Sequence, residues 1–550
     1  MTINSLNSIE ERHKHLSSAI CVVGSGVAGI LFARRIAQGG RNVIVVESGE
    51  SVFDYETQRL NEIEDSAARY SRALTGRHRG LGGTSSRWGG RMIPISAHEA
   101  GARQYVSQPQ WPLPIGELDS YQREIERLFG TGHDSYEDIA QDKADAGTLF
   151  PRVGTPLTPR WAKCPTFRRC NIATLLRDDL KNLKGMEIWV GATVCEFELD
   201  RQGGRLRAIT ARSLRGKELT VRADHFVIAA GTIETTRLLL LLDRASDQHA
   251  FRRCKVLGRY FQDHLKAEVA TISRRNPVAT NRLFGYQFVN STRRDLHLEL
   301  SKAAQREDAV ASAFAYVSMD LAESPLGHVK RLAHGLQRRE VHLGDLRRVS
   351  KNLGLLARTA YWRLVHNQLF IPASVDLRLL TCIEQLPHWN NWIRLGETQD
   401  RFGLPKALFE WSPTEADERT FRSAISHVAA YWSHAGFDRL CPLIWTKAAG
   451  QGAAPIIDEA EACAHPSGST RMGTDPEGSV VGPDLFCHDV PNVAALSASV
   501  FPTAGSANPT LTIMKLALWL ADSYLRNTQA EGRITLASGP DANLARLAEA

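Results

Sequence analysis

The 550-residue chain contains no apolar run approaching the ~20 residues that span a bilayer. Residues 1–18 are polar and lack the apolar core of a secretory signal. Cysteine is scarce: nine residues, odd in number, scattered and without metal-type spacing. Cys164 and Cys170 stand too far apart for a CxxC redox motif. That usage fits a reducing compartment better than a disulfide framework. The expectation is a soluble, cytoplasmic protein with no metal site. A strong charge excess is missing as well, because +7 is mild at this length. With no zinc-finger spacing and no aromatic–basic RNA motif, nothing points to nucleic acid. Low-complexity tracts are absent, and 43% apolar with 23% charged residues is ordinary globular composition. Single cores stop growing near about 250–300 residues, so two intimately joined domains are expected.

What is present starts with a nucleotide-binding pattern. Residues 19–23 are a short, apolar, β-branched run, the signature of a buried parallel strand. Gly24, Gly26 and Gly29 follow, enclosing Val27 and Ala28. A helix is predicted over 27–38, with Ile30, Leu31, Ala33, Ile36 and Ala37 on one face and Gly39-Gly40 ending it. Residues 42–46 form a second buried strand that finishes on Glu47 and Ser48. The unit supplies glycines for a tight turn and close phosphate approach, and an acid for ribose hydroxyls. An ADP-binding site is predicted here, although the unit alone does not separate FAD from NAD.

Residues 79–90 hold five glycines in twelve positions, among them Gly82, Gly83 and Gly89, with Thr84, Ser85 and Trp88 between. Such density lets backbone approach a flat ligand and bind it through N–H groups. A helix is predicted from about 115 to 128. Nucleotide-domain character returns over 185–257: strands at 186–190 and 193–199, a ribbon over 206–222, then residues 226–231 as a buried strand before a helix at 234–242. Residues 265–455 read as a separate substrate region with strands at 266–273, 285–289, 311–319 and 392–395. Within it, 328–365 is a basic, helical-looking insertion carrying Lys330, Arg331, Arg338, Arg339, Arg347, Arg348, Lys351, Arg358 and Arg363. It reads either as a solvated helical face or as a docking surface for an acidic partner or anionic membrane.

The C-terminal hundred residues carry the marked chemistry. Pro509 suits a first helical position, since its missing N–H would be unpaired there. Asn508 is then the N-cap, and the predicted helix buries Leu511, Met514, Leu518 and Ala521. Earlier stands the segment His465-Pro466-Ser467-Gly468-Ser469-Thr470-Arg471-Met472-Gly473. A histidine suits proton removal near neutral pH. An amide fixes a substrate oxygen without competing for the proton.

Taken with the Gly24–Gly29 turn, these segments resemble the glucose–methanol–choline (GMC) family of flavin-dependent oxidoreductases, in its His/Asn form. The resemblance implies an α/β fold: a Rossmann-like FAD-binding domain (19–95, 185–264 and 456–530) interleaved with an α+β substrate domain on an antiparallel sheet (96–184 and 265–455). The termini, 1–18 and 531–550, are expected to be flexible. It implies His465 and Asn508 as the catalytic pair and FAD as cofactor. Gly24, Gly26, Val27, Ala28, Gly29, Glu47 and Ser48 are its expected contacts in the first motif, and Gly82, Gly83, Thr84, Ser85, Trp88 and Gly89 in the loop. Val194 would meet the adenine, and Ala230-Gly231 would pass beneath the cofactor. Ser499, Val500, Pro509 and Thr510 complete the set, with Gln385 as a substrate contact. Where covalent members carry a histidine before the tryptophan, this chain has Arg87, so FAD is expected to be non-covalent. Ser497 replaces an acid found in many members, and His264 is expected to be structural. The implied reaction oxidises a CH–OH group of a sugar, glycoside or other polyol, with hydride passing to flavin N5. A non-redox lyase or decarboxylase and the oxidation of a sterol-like alcohol are the alternatives. The electron acceptor is left open among oxygen, a quinone and a protein.

Overall fold

The computed structural model describes residues 3–65, 69–137, 150–152, 154–200, 204–319, 353–451 and 454–537. One sheet orders its strands as Ile3–Ser5, Met186–Val190, Val43–Val46, His13–Val23, Glu218–Ile228, Leu206–Arg212 and Thr193–Leu199, and Val493–Ala495 lies beside Glu218–Ile228. Its first five strands and Val493–Ala495 pair in parallel, and the last three form an antiparallel ribbon. The all-apolar stretches at 20–23 and 43–46 are buried because helices cover the sheet. These helices include α1 (Val27–Gln38), α2 (Gly231–Ala245) and α3 (Pro509–Ala537). Leu525 of α3 packs so close to Gly39, the C-cap of α1, that a Cβ there would lie 2.6 Å from it. Leu511, Met514, Leu518 and Ala521 are buried as predicted. Each large one contributes about 1.5–3 kcal/mol of burial.

The second sheet is antiparallel, ordered Gln287–Val289, Thr292–Leu300, Ala313–Met319, Leu377–Ile383, Leu265–Ile272 and Leu443–Trp445, with Leu157–Cys164 paired to Thr292–Leu300. A small third sheet joins Trp392–Gln399, Pro405–Glu410 and Ile63–Asp65. Two hydrophobic cores sit under the two large sheets.

The ends of the chain depart from expectation. Residues 3–18 are not a flexible terminus: Ile3–Ser5 is an edge strand, and His13–Val23 begins well before the predicted strand. The early part of His13–Val23 alternates exposed and half-buried residues, so its pattern carries no apolar run. At the other end α3 continues through 531–537. Residues 538–550 and 328–352, with Lys330, Arg331, Arg338, Arg339, Arg347, Arg348 and Lys351, lie outside the described residues. The remainder of the basic stretch, Leu353–Val365, is a helix holding Arg358 and Arg363.

Candidate active site

A cavity of about 250 Å³ opens where α1, α2 and α3 begin, with Gly26, Gly231, Pro509 and Thr510 among its lining. The helices are 12, 15 and 29 residues long. Each therefore presents unpaired N–H groups and a partial positive charge to the same space. Added Cβ atoms at Gly26 and Gly231 would meet nothing within 4 Å. Arg77 adds a half-buried cation to the lining. Its Nε donates to the Ala73 carbonyl at 2.7 Å and its Nη2 to the Asn61 carbonyl, so the guanidinium sits on neutral oxygens. Burial and the neighbouring Arg79 charge push its pKa down to about 10. The cavity is built for an anion.

His465 stands at the other end of this lining. Asp263 Oδ1 accepts from its backbone N–H at 2.8 Å, and the preceding residue, Ala464, is held at φ 59°. A non-glycine residue in that region stores about 1–3 kcal/mol, and such strain persists where its surroundings enforce it. Here Asp263 also accepts from the Tyr70 hydroxyl at 2.7 Å. Burial raises the Asp263 pKa to about 7.

The proton positions around His465 follow from one carbonyl. His264 Nε2 lies 2.7 Å from the Gly505 carbonyl oxygen and must donate to it. The Nδ1 of a neutral His264 is then an acceptor, and it lies 2.9 Å from His465 Nδ1, which must be the donor. His465 Nε2 is left with a free lone pair, and Asn508 Nδ2 donates to it at 3.1 Å. Burial, followed by His264, Arg91 and Lys266, pushes the His465 pKa well below its usual value, so it is a neutral base. Asn508 does not spend its side chain on capping. Its amide turns to His465, and its buried Oδ1 has no hydrogen-bond partner among the described residues.

The loop that carries Asn508 is held by two carboxylates from distant parts of the chain. Glu384 Oε1 accepts from Gly505 N–H at 2.9 Å while pairing with Arg103 at 2.6 and 2.7 Å. Glu99 Oε1 accepts from Ser506 N–H at 2.6 Å and from its hydroxyl at 2.7 Å. Burial works against the Glu99 charge, but the Ser506 and Ser96 N–H groups and Arg160 outweigh it and hold its pKa at about 2. The Gly505 carbonyl that fixes the histidine protons is thereby fixed itself.

Residues 387–517 match the family model described as GMC oxidoreductase. Over 560 residues the chain is 21% identical to 6'''-hydroxyparomomycin C oxidase of Streptomyces lividus, covering 91% of this chain and 90% of that protein. It is 23% identical to 2-methyl-1,2-propanediol dehydrogenase of Mycolicibacterium austroafricanum, covering 92% and 95%. Among solved structures, pyridoxine 4-oxidase from Mesorbium loti superposes with a TM-score of 0.55 at 16% identity, over 92% of this chain and 99% of that one. The C-terminal part of the chain is thus a GMC oxidoreductase segment, and the chain along its length is similar to oxidases and dehydrogenases of that kind. GMC oxidoreductases depend on FAD, and three helix N-termini, open glycine faces and a half-buried arginine with no carboxylate partner among the described residues fit, in one cavity, its diphosphate and the negative charge its ring carries when reduced.

The fold brings most of the predicted residues to that cavity: Gly24, Gly26, Val27, Ala28, Glu47, Ser48, Gly83, Thr84, Ser85, Trp88, Val194, Ala230, Gly231, His465, Pro509 and Thr510. Several do other work. A Cβ on Gly29 would lie 2.0 Å from the Gly24 carbonyl, and one on Gly82 would lie 2.4 Å from Asn171, so both serve close packing. Gly89 is exposed, and Ser499 and Val500 are buried behind the lining that Ser497 and Ala498 provide. Glu47 is occupied from within: Oε2 accepts from Ser25 N–H and hydroxyl, both at 2.8 Å, and Oε1 from Gly49 N–H at 2.8 Å and Gly80 N–H at 3.1 Å. These bonds anchor the turn at the cavity edge. Gln385, expected as a substrate contact, spends its amide on the protein. It is buried, accepts from Trp411 at 2.7 Å and Asp263 N–H at 3.3 Å, and donates to Ser412 and Asp417. His264, expected to be structural, touches the catalytic candidate directly.

The chain also holds residues around this site to which the sequence pattern gave no role: Arg77, Glu99 and Glu384. For His264 a local signal existed. Gln262, Asp263 and His264 are three buried polar residues between apolar Phe261 and Leu265, and all three bond to the 465–505 region.

Proposed function

We propose that this GMC oxidoreductase oxidises a CH–OH group of a sugar, glycoside or other polyol to a carbonyl, with His465 taking the hydroxyl proton on Nε2 and Asn508 holding the substrate oxygen. The observation that carries the reading is the pairing of a neutral Nε2 lone pair with the Asn508 Nδ2–H donor, 3.1 Å apart. An alcohol is the matching group, since its proton goes to the one and its oxygen accepts from the other. The unpartnered Asn508 Oδ1 offers an acceptor for a second hydroxyl, which supports a polyol over a simple or sterol-like alcohol. Relatives named for oxidising an aminoglycoside and a propanediol agree with that class.

FAD, when bound, supplies the acceptor for the carbon-bound hydrogen and its two electrons. This chain's residues do the rest. The starts of α1 and α2 would hold the diphosphate, with the backbone of Val194 at the adenine. Pro509 and Thr510 at the start of α3 would favour negative charge on the ring. Attachment is proposed to be non-covalent: Arg87, at the position of the linking histidine in covalent members, lies over the Phe53 ring at 4.9 Å. Residues 19–95, 185–264 and 456–530 are proposed as the cofactor domain, and 96–184 and 265–455 as the substrate domain.

The test is an anaerobic absorbance titration of the purified protein with sugars, glycosides, sterols and simple alcohols. Bleaching of the bound flavin by the polyols supports the reading, and admitting air then separates oxidase from dehydrogenase. Flavin that dithionite reduces but no alcohol does would overturn it in favour of the lyase alternative.

A further inference from the structure

The helix Leu353–Val365 shows water the kind of side that a surface helix normally hides. Trp362 is buried, and Leu355, Leu356 and Thr359 are half-buried, so these residues face the protein. The Trp362 ring lies 6.2 Å from that of Phe370, and its carbonyl accepts from the Gln368 N–H at 3.2 Å, which folds the following turn back onto the helix end. The opposite side carries Ala357, Arg358, Ala360, Tyr361, Leu364 and Val365, all exposed. Positions 357, 360, 361, 364 and 365 make one apolar stripe at helical spacing. A solvated helix carries polar residues there. Here Arg358 is the one charged side chain among the six, and Leu364 stays 80% exposed.

The ground beside this helix is basic. Arg363 lies over the Phe288 ring at 4.1 Å, and the Phe288 N–H donates to the Asn367 carbonyl at 2.8 Å. Gln368 Nε2 donates to the Arg282 carbonyl at 2.8 Å, and Asn281 Nδ2 to the Leu369 carbonyl at 3.2 Å. These bonds set the helix Pro277–Phe284 against the same end, and it exposes Val278 and Arg282, which share one of its sides. Residues 273–294 and 353–375, the two stretches that meet here, hold seven arginines and no acidic residue. A positive surface with bulky apolar side chains standing out of it has two affinities at once. An anionic lipid surface meets both, its headgroups taking the guanidinium groups and its acyl boundary the apolar stripe. An acidic polypeptide would answer the charge alone and leave Tyr361, Leu364 and Val365 in water.

We infer that the outward face of Leu353–Val365, with Arg282 and Arg358, docks this protein on an anionic membrane surface. The helix lies in the plane of the interface, with Tyr361, Leu364 and Val365 entering about 5–10 Å, to the boundary of headgroups and acyl chains. The contact is peripheral, because among the described residues no helix is long and apolar enough to cross a membrane.

The experiment is sedimentation of the purified holoprotein with phosphatidylcholine vesicles, with and without about one third phosphatidylglycerol, at about 0.1 M and about 1 M salt. Wild type should pellet with the anionic vesicles and stay in solution with the neutral ones, and high salt should release most of it. Leu364→Asp should weaken the anionic binding at least about tenfold. Arg282→Gln combined with Arg358→Gln should weaken it about 10- to 30-fold, at about fivefold per charge. All three positions are exposed, so flavin content and the unfolding midpoint should not change. Residues 328–352 stay in place in every variant, so anionic binding that both variants leave intact lies elsewhere and overturns the proposal. Equal binding to neutral vesicles overturns it as well, and so does a wild type that ignores both kinds. If that wild type binds poly-L-glutamate through Arg282 and Arg358, the face serves an acidic polypeptide. If it forms a dimer that Leu364→Asp dissociates, the face serves a second copy of the chain.

Discussion

His264 and His465 meet nitrogen to nitrogen, Nδ1 to Nδ1 at 2.9 Å, and the Gly505 carbonyl at 2.7 Å from His264 Nε2 decides which of them carries the proton between them. His264 is thus a positioning residue. It acts through His465, fixing the tautomer whose Nε2 is free. His264→Leu should lower kcat/KM about 100-fold, the scale of a misplaced general base, with flavin content retained. His264→Gln can accept from His465 Nδ1 and donate to Gly505 with its amide, and should recover most of the loss. Steady-state kinetics of the two variants decide it. Equal loss in both would mean that His264 only fills space.

The same relay sets the pH dependence. Burial, His264, Arg91 and Lys266 all disfavour a charged His465. A base with a depressed pKa stays active as pH falls through the ordinary histidine value near 6.5 and loses its lone pair only below it. The acid limb of the kcat/KM profile, which reports the free enzyme, should therefore lie below that value. Removing the Arg91 charge should move the limb upward. A wild-type limb above the ordinary value would contradict a neutral relay.

Asn508 leads into a helix that its side chain does not cap, so stability and catalysis can be read apart at this position. The Asn508 side chain makes no capping bond, so Asn508→Ser should leave the unfolding midpoint nearly unchanged while losing the donor at 3.1 Å from His465. Turnover should drop about 10- to 1000-fold, the range for a lost positioning donor. Unchanged kcat with an intact helix would remove Asn508 from the mechanism.

The legible parts of this site were the local ones. A βαβ unit, a proline-started helix with Leu511, Met514 and Leu518 on one face, and a histidine in its own short segment all declare themselves within a few residues. What stayed hidden was long-range or locally misleading. His264 reaches His465 across 201 positions, and Glu99 reaches Ser506 across 407. No periodicity encodes such pairs. Leu157–Cys164 escaped notice because Pro159 interrupts it, as an edge strand allows. Glu47 was legible only in part: an acid at the end of the second strand matches the nucleotide pattern, but the four protein donors that hold it come from Ser25, Gly49 and Gly80 and no pattern announces them.

The Arg103–Glu384 pair joins stability to catalysis, and the two can be taken apart. Both side chains are 0% exposed, and Glu384 also accepts from Gly505 N–H at 2.9 Å. Glu384→Gln leaves Arg103 as an uncompensated buried cation and should cost about 3–5 kcal/mol in urea unfolding. Replacing both partners by methionine removes the stranded charge, so much of that loss should return. Activity should not return with it. Without the carboxylate, Gly505 is no longer held, and its carbonyl is what orders the protons of His264 and His465. The double variant is expected to unfold near the wild-type midpoint while turning over at least about tenfold more slowly, the scale of a displaced reacting geometry. Recovery of both stability and turnover would show that Glu384 serves the fold alone.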